Sequence, residues 1–143
     1  MVAITAQMLM QVAMLTAGGS PYQEAFEQAD NQGKPFLVLV GADWCPGCQT
    51  MKLKNLAQLM REGGLNQVVY TSVNSDEKPK LAGELTRGKS IPQLVLYTPL
   101  VEGKERRWRR SQLTGVHDAA EISDFLTKAI AGKLTTAQAA GGG

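Results

Sequence analysis

Phe36-Leu37-Val38-Leu39-Val40 is the stretch that most narrows what this chain can fold into. Five consecutive apolar residues after Lys34-Pro35 have the length of a strand and offer no polar face. A strand apolar on both faces belongs in the middle of a sheet that is covered on both sides. The rest of the chain must therefore supply the cover.

Helical patterns flank the run. Ser20-Pro21 reads as a helix start, a capping hydroxyl followed by a proline whose missing N–H costs nothing there. Tyr22, Ala25, Phe26 and Ala29 then share a face, and Gly33 is the stop. Beyond the strand, Cys48, Leu53, Leu56, Leu59 and Met60 fall within an arc of roughly 140° at about 100° per residue, and Gly63-Gly64 ends the pattern. That spacing predicts a core-facing helix whose first turn holds the cysteines. Residues 68–73 read as a second strand, 74–77 as a loop and 79–87 as a short helix closing at Gly88. This alternation implies parallel strands joined by right-handed crossovers.

Ile91-Pro92 places a proline at the first position of a strand over 93–98. A polar connection through Gly103 leads to the second arm of an antiparallel hairpin over 107–113. Asp118 and Glu121 form a capping-box-like pair opening a last helix, with Ile122, Phe125, Leu126, Ala129 and Ile130 on one face. The expected organisation is an uncharged segment over 1–19, one α/β domain over 20–131 and a disordered Ala/Thr/Gly-rich tail over 132–143.

Several function classes recede on charge alone. A formal net charge of +2 on 143 residues gives no reason to expect a nucleic-acid or membrane-surface partner. The one dense run is Arg106-Arg107-Trp108-Arg109-Arg110, where Arg106, Trp108 and Arg110 share one strand face and Arg107 and Arg109 the other. It reads most simply as a solvated edge strand guarded against aggregation, with a docking surface for an acidic partner as the alternative. His117 is expected to be a solvated loop residue. Residues 1–17 carry no charge, and Glu24 is the first charged residue. The stretch has signal-peptide length and ends in small residues, but it lacks a basic n-region. Thr5, Gln7, Gln11 and Thr16 interrupt it as a membrane span. Export signal, anchor remnant and a helix packed on the domain all remain open.

Cys45 and Cys48 are both of the chain's cysteines. One helical turn apart, they can form a disulfide, half a metal site or inert core thiols. A protein-only zinc site wants four ligands, and this chain adds only one histidine and no second cysteine pair. A cluster shared by two chains through four cysteines is the metal alternative that survives. A C-x-x-C beside alternating strand and helix patterns reads as a redox motif. Cys45, at a helix N-terminus, has a thiolate favoured by unpaired N–H groups and the macrodipole, which makes it the expected nucleophile. Cys48, one turn in and on the apolar arc, is expected to attack the mixed disulfide and release the product.

A strand, Asp43-Trp44-Cys45-Pro46-Gly47-Cys48 at a helix start, two more α/β steps, Ile91-Pro92 before a hairpin and a last helix together resemble the thioredoxin-like superfamily over 20–131. Val73-Asn74-Ser75-Asp76 supports the likeness. Lys34-Pro35-Phe36 running to Ala42-Asp43-Trp44-Cys45 is most similar to single-domain bacterial proteins related to the periplasmic C-terminal thioredoxin-like domain of the thiol:disulfide interchange protein DsbD. The resemblance implies a central mixed four-stranded sheet, a parallel pair plus an antiparallel hairpin, flanked by helices. It implies a cis Pro92 beside the disulfide, Ile91 offering its backbone to an incoming peptide as an added strand, and Trp44 shielding one side of the sulfurs around Pro46 and Gly47. The implied activity is protein disulfide oxidoreduction. It needs no organic cofactor or metal, and it is carried out by an exported, periplasmic monomer on protein thiols or disulfides with a separate redox donor or acceptor. A cytoplasmic location is the alternative. The competing function is a non-catalytic module that captures extended peptides beside Ile91-Pro92.

Three positions depart from the pattern. Thioredoxins commonly carry a buried Asp six residues before the first cysteine and a lysine partner on the next strand; Leu39 and Ser72 stand there in this chain. The DsbD-related proteins often have Glu four residues after the second cysteine, where this chain has Lys52. Loss of acid and gain of a cation near the sulfurs predict a more acidic Cys45 and a more oxidising couple than in a typical thioredoxin. At about 10 Å each charge counts for tenths of a kcal/mol to about 1 kcal/mol. The proton acceptor for Cys48 is left without an obvious candidate.

Overall fold

The computed structural model describes residues 20–132. The uncharged segment 1–19 and the expected disordered tail from 133 onward lie outside the described residues. The apolar run forms β1 (Phe36–Gly41), every residue of it buried. It lies inside a four-stranded sheet of order β2-β1-β3-β4, with β2 spanning Val69–Asn74, β3 Gln93–Glu102 and β4 Glu105–Thr114. β1 runs parallel to β2 and antiparallel to β3, which in turn pairs antiparallel with β4.

Among the described residues four helices cover the sheet: α1 (Pro21–Gln32), α2 over 46–61, α3 (Pro79–Leu85) and α4 (Ala119–Ile130). Alternation along β1 divides its side chains between two cores. Leu37 and Leu39 enter one core with α2 and α4, while Phe36, Val38 and Val40 enter the other with Ala29 of α1 and Ala82 and Leu85 of α3. Each such buried aliphatic or aromatic side chain contributes about 1.5–3 kcal/mol. The caps follow the sequence: the Ser20 hydroxyl accepts from the Gln23 N–H at 3.2 Å, Gly33 takes the left-handed conformation at φ 64°, and the Asp118 carboxylate accepts from the Glu121 N–H at 2.8 Å.

α2 departs from expectation. It opens as an α-turn (Pro46–Gln49), widens into a π-helical stretch (Thr50–Asn55) and returns to α over Leu56–Arg61. A π turn holds more residues than an α turn, so the even rotation assumed from the sequence does not survive past Cys48. Met51 and Asn55 turn inward with Leu56 and Leu59, whereas Leu53 and Met60, expected in the core, are 67% and 53% exposed. Lys52 and Lys54 flank Leu53 and stay in solvent with it.

The hairpin is longer than expected, turning at Gly103 with φ 65°. Pro99 lies within β3, but β1 accompanies β3 only as far as Tyr97. There β3 has a neighbour on one side only, where a residue without an N–H is tolerated. The arginine run lies on the edge strand β4 as expected, with Arg106 and Arg107 exposed, but three of its four arginines are engaged by helix ends rather than free in solvent. Arg106 pairs with the Asp30 carboxylate at 2.8 Å and bonds the Asp30 carbonyl at the end of α1. Arg110 donates to the Leu85 carbonyl at the end of α3, and Arg109 to the Ala129 carbonyl in the last turn of α4, each at 2.8 Å. Three cations thus meet three helix C-termini, where unpaired carbonyls and the dipole favour positive charge. Trp108 packs on Phe26 of α1, with ring centroids 5.8 Å apart. His117 is held rather than loosely solvated, its ring nitrogens 2.8 Å from a Glu121 carboxylate oxygen and 3.0 Å from the Thr114 carbonyl oxygen.

Candidate active site

The first turn of α2 lands on the end of β1, and Gly41 is what lets it land. A Cβ at Gly41 would stand 2.8 Å from Cys48 Cβ and 2.9 Å from Cys48 Sγ, well inside contact distance. Cys45 and Cys48 are joined as a disulfide with Cα atoms 5.2 Å apart, and the Cys48 N–H points at Cys45 Sγ from 3.2 Å. Cys45 holds the N-cap position of α2, where its sulfur stands in for the usual capping oxygen. Both residues are buried, Cys45 at 7% and Cys48 at 3% exposure, in a small cluster with Ala42 against which Ile91 packs.

The loop entering β3 approaches from the side. The Ile91–Pro92 peptide bond is cis, and the Ile91 carbonyl oxygen lies 4.0 Å from Cys45 Sγ. Gln93 holds this loop: fully buried, it accepts from the Arg87 N–H at 3.1 Å and donates to the Arg87 and Ser90 carbonyls at 2.8 Å each. A polar residue opening an otherwise apolar strand was the available signal for Gln93. The loop between β4 and α4 closes the other side, with Val116 so near that a Cβ at Gly47 would meet it at 2.8 Å. That loop is pinned from beneath by the π stretch. Asn55 Nδ2 donates to the His117 carbonyl at 2.7 Å, and the His117 N–H lies 3.3 Å from Met51 Sδ. Val116 comes from far along the chain, and Asn55, although on α2 itself, is turned toward the loop only by the π stretch, so no regular spacing announced either.

Trp44 is 69% exposed, with its indole N–H donating to Asp76 Oδ2 at 2.9 Å. The loop after β2 is in turn set by Asn74, whose side-chain oxygen accepts from the Asp76 N–H at 2.9 Å. Pro46 is exposed at the first position of α2, and Asp43 is exposed on the turn before the motif. Cys45, Cys48, Trp44, Pro46, Gly47, Ile91 and Pro92 therefore surround one surface of the domain. Behind Cys48, Leu39 and Ser72 are register partners on β1 and β2 and line a cleft of about 340 Å³ together with Cys48, Lys52 and Glu77. Among the described residues no group of three His, Cys, Asp or Glu side chains is gathered to hold a metal ion.

The comparisons agree with this geometry. Residues 19–99 match the model of a family described as thioredoxin-like. A thioredoxin from Thermus thermophilus is similar, at 26% identity over 79% of this chain and 86% of that one, with a TM-score of 0.64. Chloroplastic thioredoxin z is 26% identical over 76% of this chain and 89% of that one, with a TM-score of 0.56. Mitochondrial thioredoxin 3 from Saccharomyces cerevisiae, in its oxidised form, shares the fold at 22% identity over 77% of this chain and 89% of that one, with a TM-score of 0.51.

Proposed function

This chain belongs to the thioredoxin-like family, and from that premise we propose that it is a protein disulfide oxidoreductase in which Cys45 attacks and Cys48 resolves. A thioredoxin-like fold carrying a disulfide-forming C-x-x-C pair is the equipment of a thiol–disulfide oxidoreductase in general. The observation that carries the finer reading is the position of that disulfide, at the first turn of α2 with the Ile91 carbonyl 4.0 Å from Cys45 Sγ.

In the reducing direction, the Cys45 thiolate attacks one sulfur of a substrate disulfide, the substrate's other sulfur leaves as a thiolate, and a mixed disulfide forms. Cys48 then attacks Cys45 Sγ, the second substrate thiolate departs, and two electrons have moved from the protein to the substrate. Cys45 supports the first role because the helix N-terminus favours its thiolate. Cys48 supports the second because it sits one turn deeper. A protein substrate laid along Ile91 would gain backbone hydrogen bonds as an added strand. Trp44, Pro46, Gly47 and Pro92 would then border it. The cysteine pair carries the electrons itself, so the reaction calls on no organic cofactor.

Lys34-Pro35-Phe36 and Ala42-Asp43-Trp44-Cys45 support a kinship with the DsbD-related proteins, and the uncharged stretch over 1–17 supports an exported location. Sequencing the N-terminus of the mature protein from its host tests the latter. The mechanism is tested by insulin reduction with dithiothreitol alongside Cys45→Ser and Cys48→Ser. Cys48→Ser is expected to accumulate mixed disulfides and Cys45→Ser none; identical behaviour of the two variants refutes the assignment.

A further inference from the structure

When Cys48 resolves the mixed disulfide its thiol must give up a proton, and the position from which thioredoxins commonly take it is Leu39 in this chain. The route has to be sought among the groups that share a space with Cys48. The cleft behind Cys48 has three walls. The end of β1 contributes Leu39, Gly41 and Asp43, α2 contributes Cys48 and Lys52, and the end of β2 with its following loop contributes Ser72, Asn74 and Glu77. At about 340 Å³ it has room for several water molecules, each with a share of liquid volume of about 30 Å³. Its ionisable lining groups are Asp43, Lys52 and Glu77.

We propose that this cleft is the proton exit for Cys48, and that Glu77 is the carboxylate that receives the proton through water. The inference rests on the thiol-exchange reading above and deepens it. In the balanced step, Cys48 Sγ forms a bond to Cys45 Sγ, the bond from Cys45 Sγ to the substrate sulfur breaks, the substrate leaves as thiolate, and the Cys48 proton passes to cleft water and from it to Glu77. Glu77 follows β2, the strand whose Ser72 lies opposite Leu39 in register, and lines one cleft with these two uncharged positions. Its neighbour Asp76 is already engaged by the Trp44 indole N–H, and the Asn74 side chain accepts from the backbone N–H groups of both Asp76 and Glu77, which holds the loop as a wall. Lys52 lines the opposite wall, on α2. Asp43 lines the same cleft from the turn that carries Trp44 and is exposed like Glu77, so Asp43→Asn is the control that separates the two carboxylates.

The test is a stopped-flow single turnover of the reduced protein with dithiobis(nitrobenzoic acid), which frees one coloured thiolate at the Cys45 attack and a second at resolution. Native protein is expected to show a second release that is flat with pH across the neutral range. Glu77→Gln should leave the first release unchanged, slow the second about tenfold, below the about 10²-fold of a directly bonded base, and make it climb with pH. Ser72→Leu, which fills the cleft while leaving the Glu77 carboxylate present, should slow the second release in the same way, while Glu62→Gln at the far end of α2 should alter neither. An unchanged second release and pH profile in Glu77→Gln overturns the proposal, as does a slowing confined to Asp43→Asn. Absence of the first release in native protein overturns the thiol-exchange reading itself, and this inference with it.

Discussion

Gly41→Ala should weaken the fold and shift the redox balance together, because one added methyl meets two atoms of the same cysteine. The new Cβ would lie 2.8 Å from Cys48 Cβ and 2.9 Å from Cys48 Sγ, about 1 Å short of the 3.5–4.0 Å at which carbon contacts are favourable. Neither atom is the loose end of a flexible chain, so the first turn of α2 has to lift from β1. Overpacking of this kind costs about 1–3 kcal/mol, offset by the about 0.5–1 kcal/mol that Ala gains over Gly in a strand. A net loss of about 1–2 kcal/mol is expected in the disulfide form. Reduction frees Cys48 Sγ to rotate away from the methyl, which leaves only the Cβ contact to be relieved. The oxidised form is thus penalised more than the reduced one, by about 1 kcal/mol if the two contacts share the strain equally. That difference corresponds to a rise in reduction potential of about 20 mV, since about 30 mV equals 1.4 kcal/mol for a two-electron couple. Urea unfolding of both redox forms measures the first quantity, and equilibration against glutathione redox buffers the second. Equal destabilisation of the two forms, or a fall in potential, would refute the argument that Gly41 makes room for the disulfide.

Other consequences follow from side chains outside the motif. Burial raises the Tyr70 pKa to about 12, and its hydroxyl has no hydrogen-bond partner among the described residues. An unfolded tyrosine ionises near about 10, so the stability tied to the neutral ring is fully present below about pH 10 and is lost as pH rises through about 12, in total about 2–3 kcal/mol. Tyr70→Phe should therefore stabilise by about 1 kcal/mol at neutral pH and flatten the alkaline fall, read as the difference between native and variant in urea melts; parallel pH curves contradict this. Asn55→Ala leaves the His117 carbonyl unpaired and should cost about 1–3 kcal/mol in thermal unfolding while increasing hydrogen exchange over 115–118; exchange unchanged in that loop argues against the pinning role. Arg109→Met, which keeps the apolar stem, should cost about 1–2 kcal/mol by removing a charged donor from the end of α4, with little sensitivity to salt because the bond is partly buried; a loss below about 0.3 kcal/mol would return Arg109 to the status of a solvated side chain.

Most of the fold was readable because its signals are local. Phe36 to Val40 required a covered central strand, Ser20 and Gly33 marked the two ends of α1, and Asp118 with Glu121 opened α4, each through chemistry that acts within a few residues. The face of α2 misled, since helical periodicity assumes one rotation per residue and the π stretch over Thr50–Asn55 changes it. The arginine run was legible only in part: it does lie on an edge strand with Arg106 and Arg107 exposed, but the helix ends that engage three of its side chains were not visible along the chain. Arg106, Arg109 and Arg110 find carbonyl groups at residues 30, 129 and 85, contacts that no spacing along the chain encodes.

The sequence by itself determined that this is a layered α/β domain with its two cysteines at the mouth of a helix, because strand length, caps and a C-x-x-C spacing all act over one or two turns. Only the tertiary structure decided what stands around the sulfurs. The Ile91 carbonyl beside Cys45, Val116 over Gly47 and the cleft shared by Cys48 and Glu77 are juxtapositions between elements distant in sequence, and Gly41 meets Cys48 only through the packing of α2 on the end of β1. Packing brings such groups together only once the sheet has closed, and the chemistry assigned to the pair depends on them.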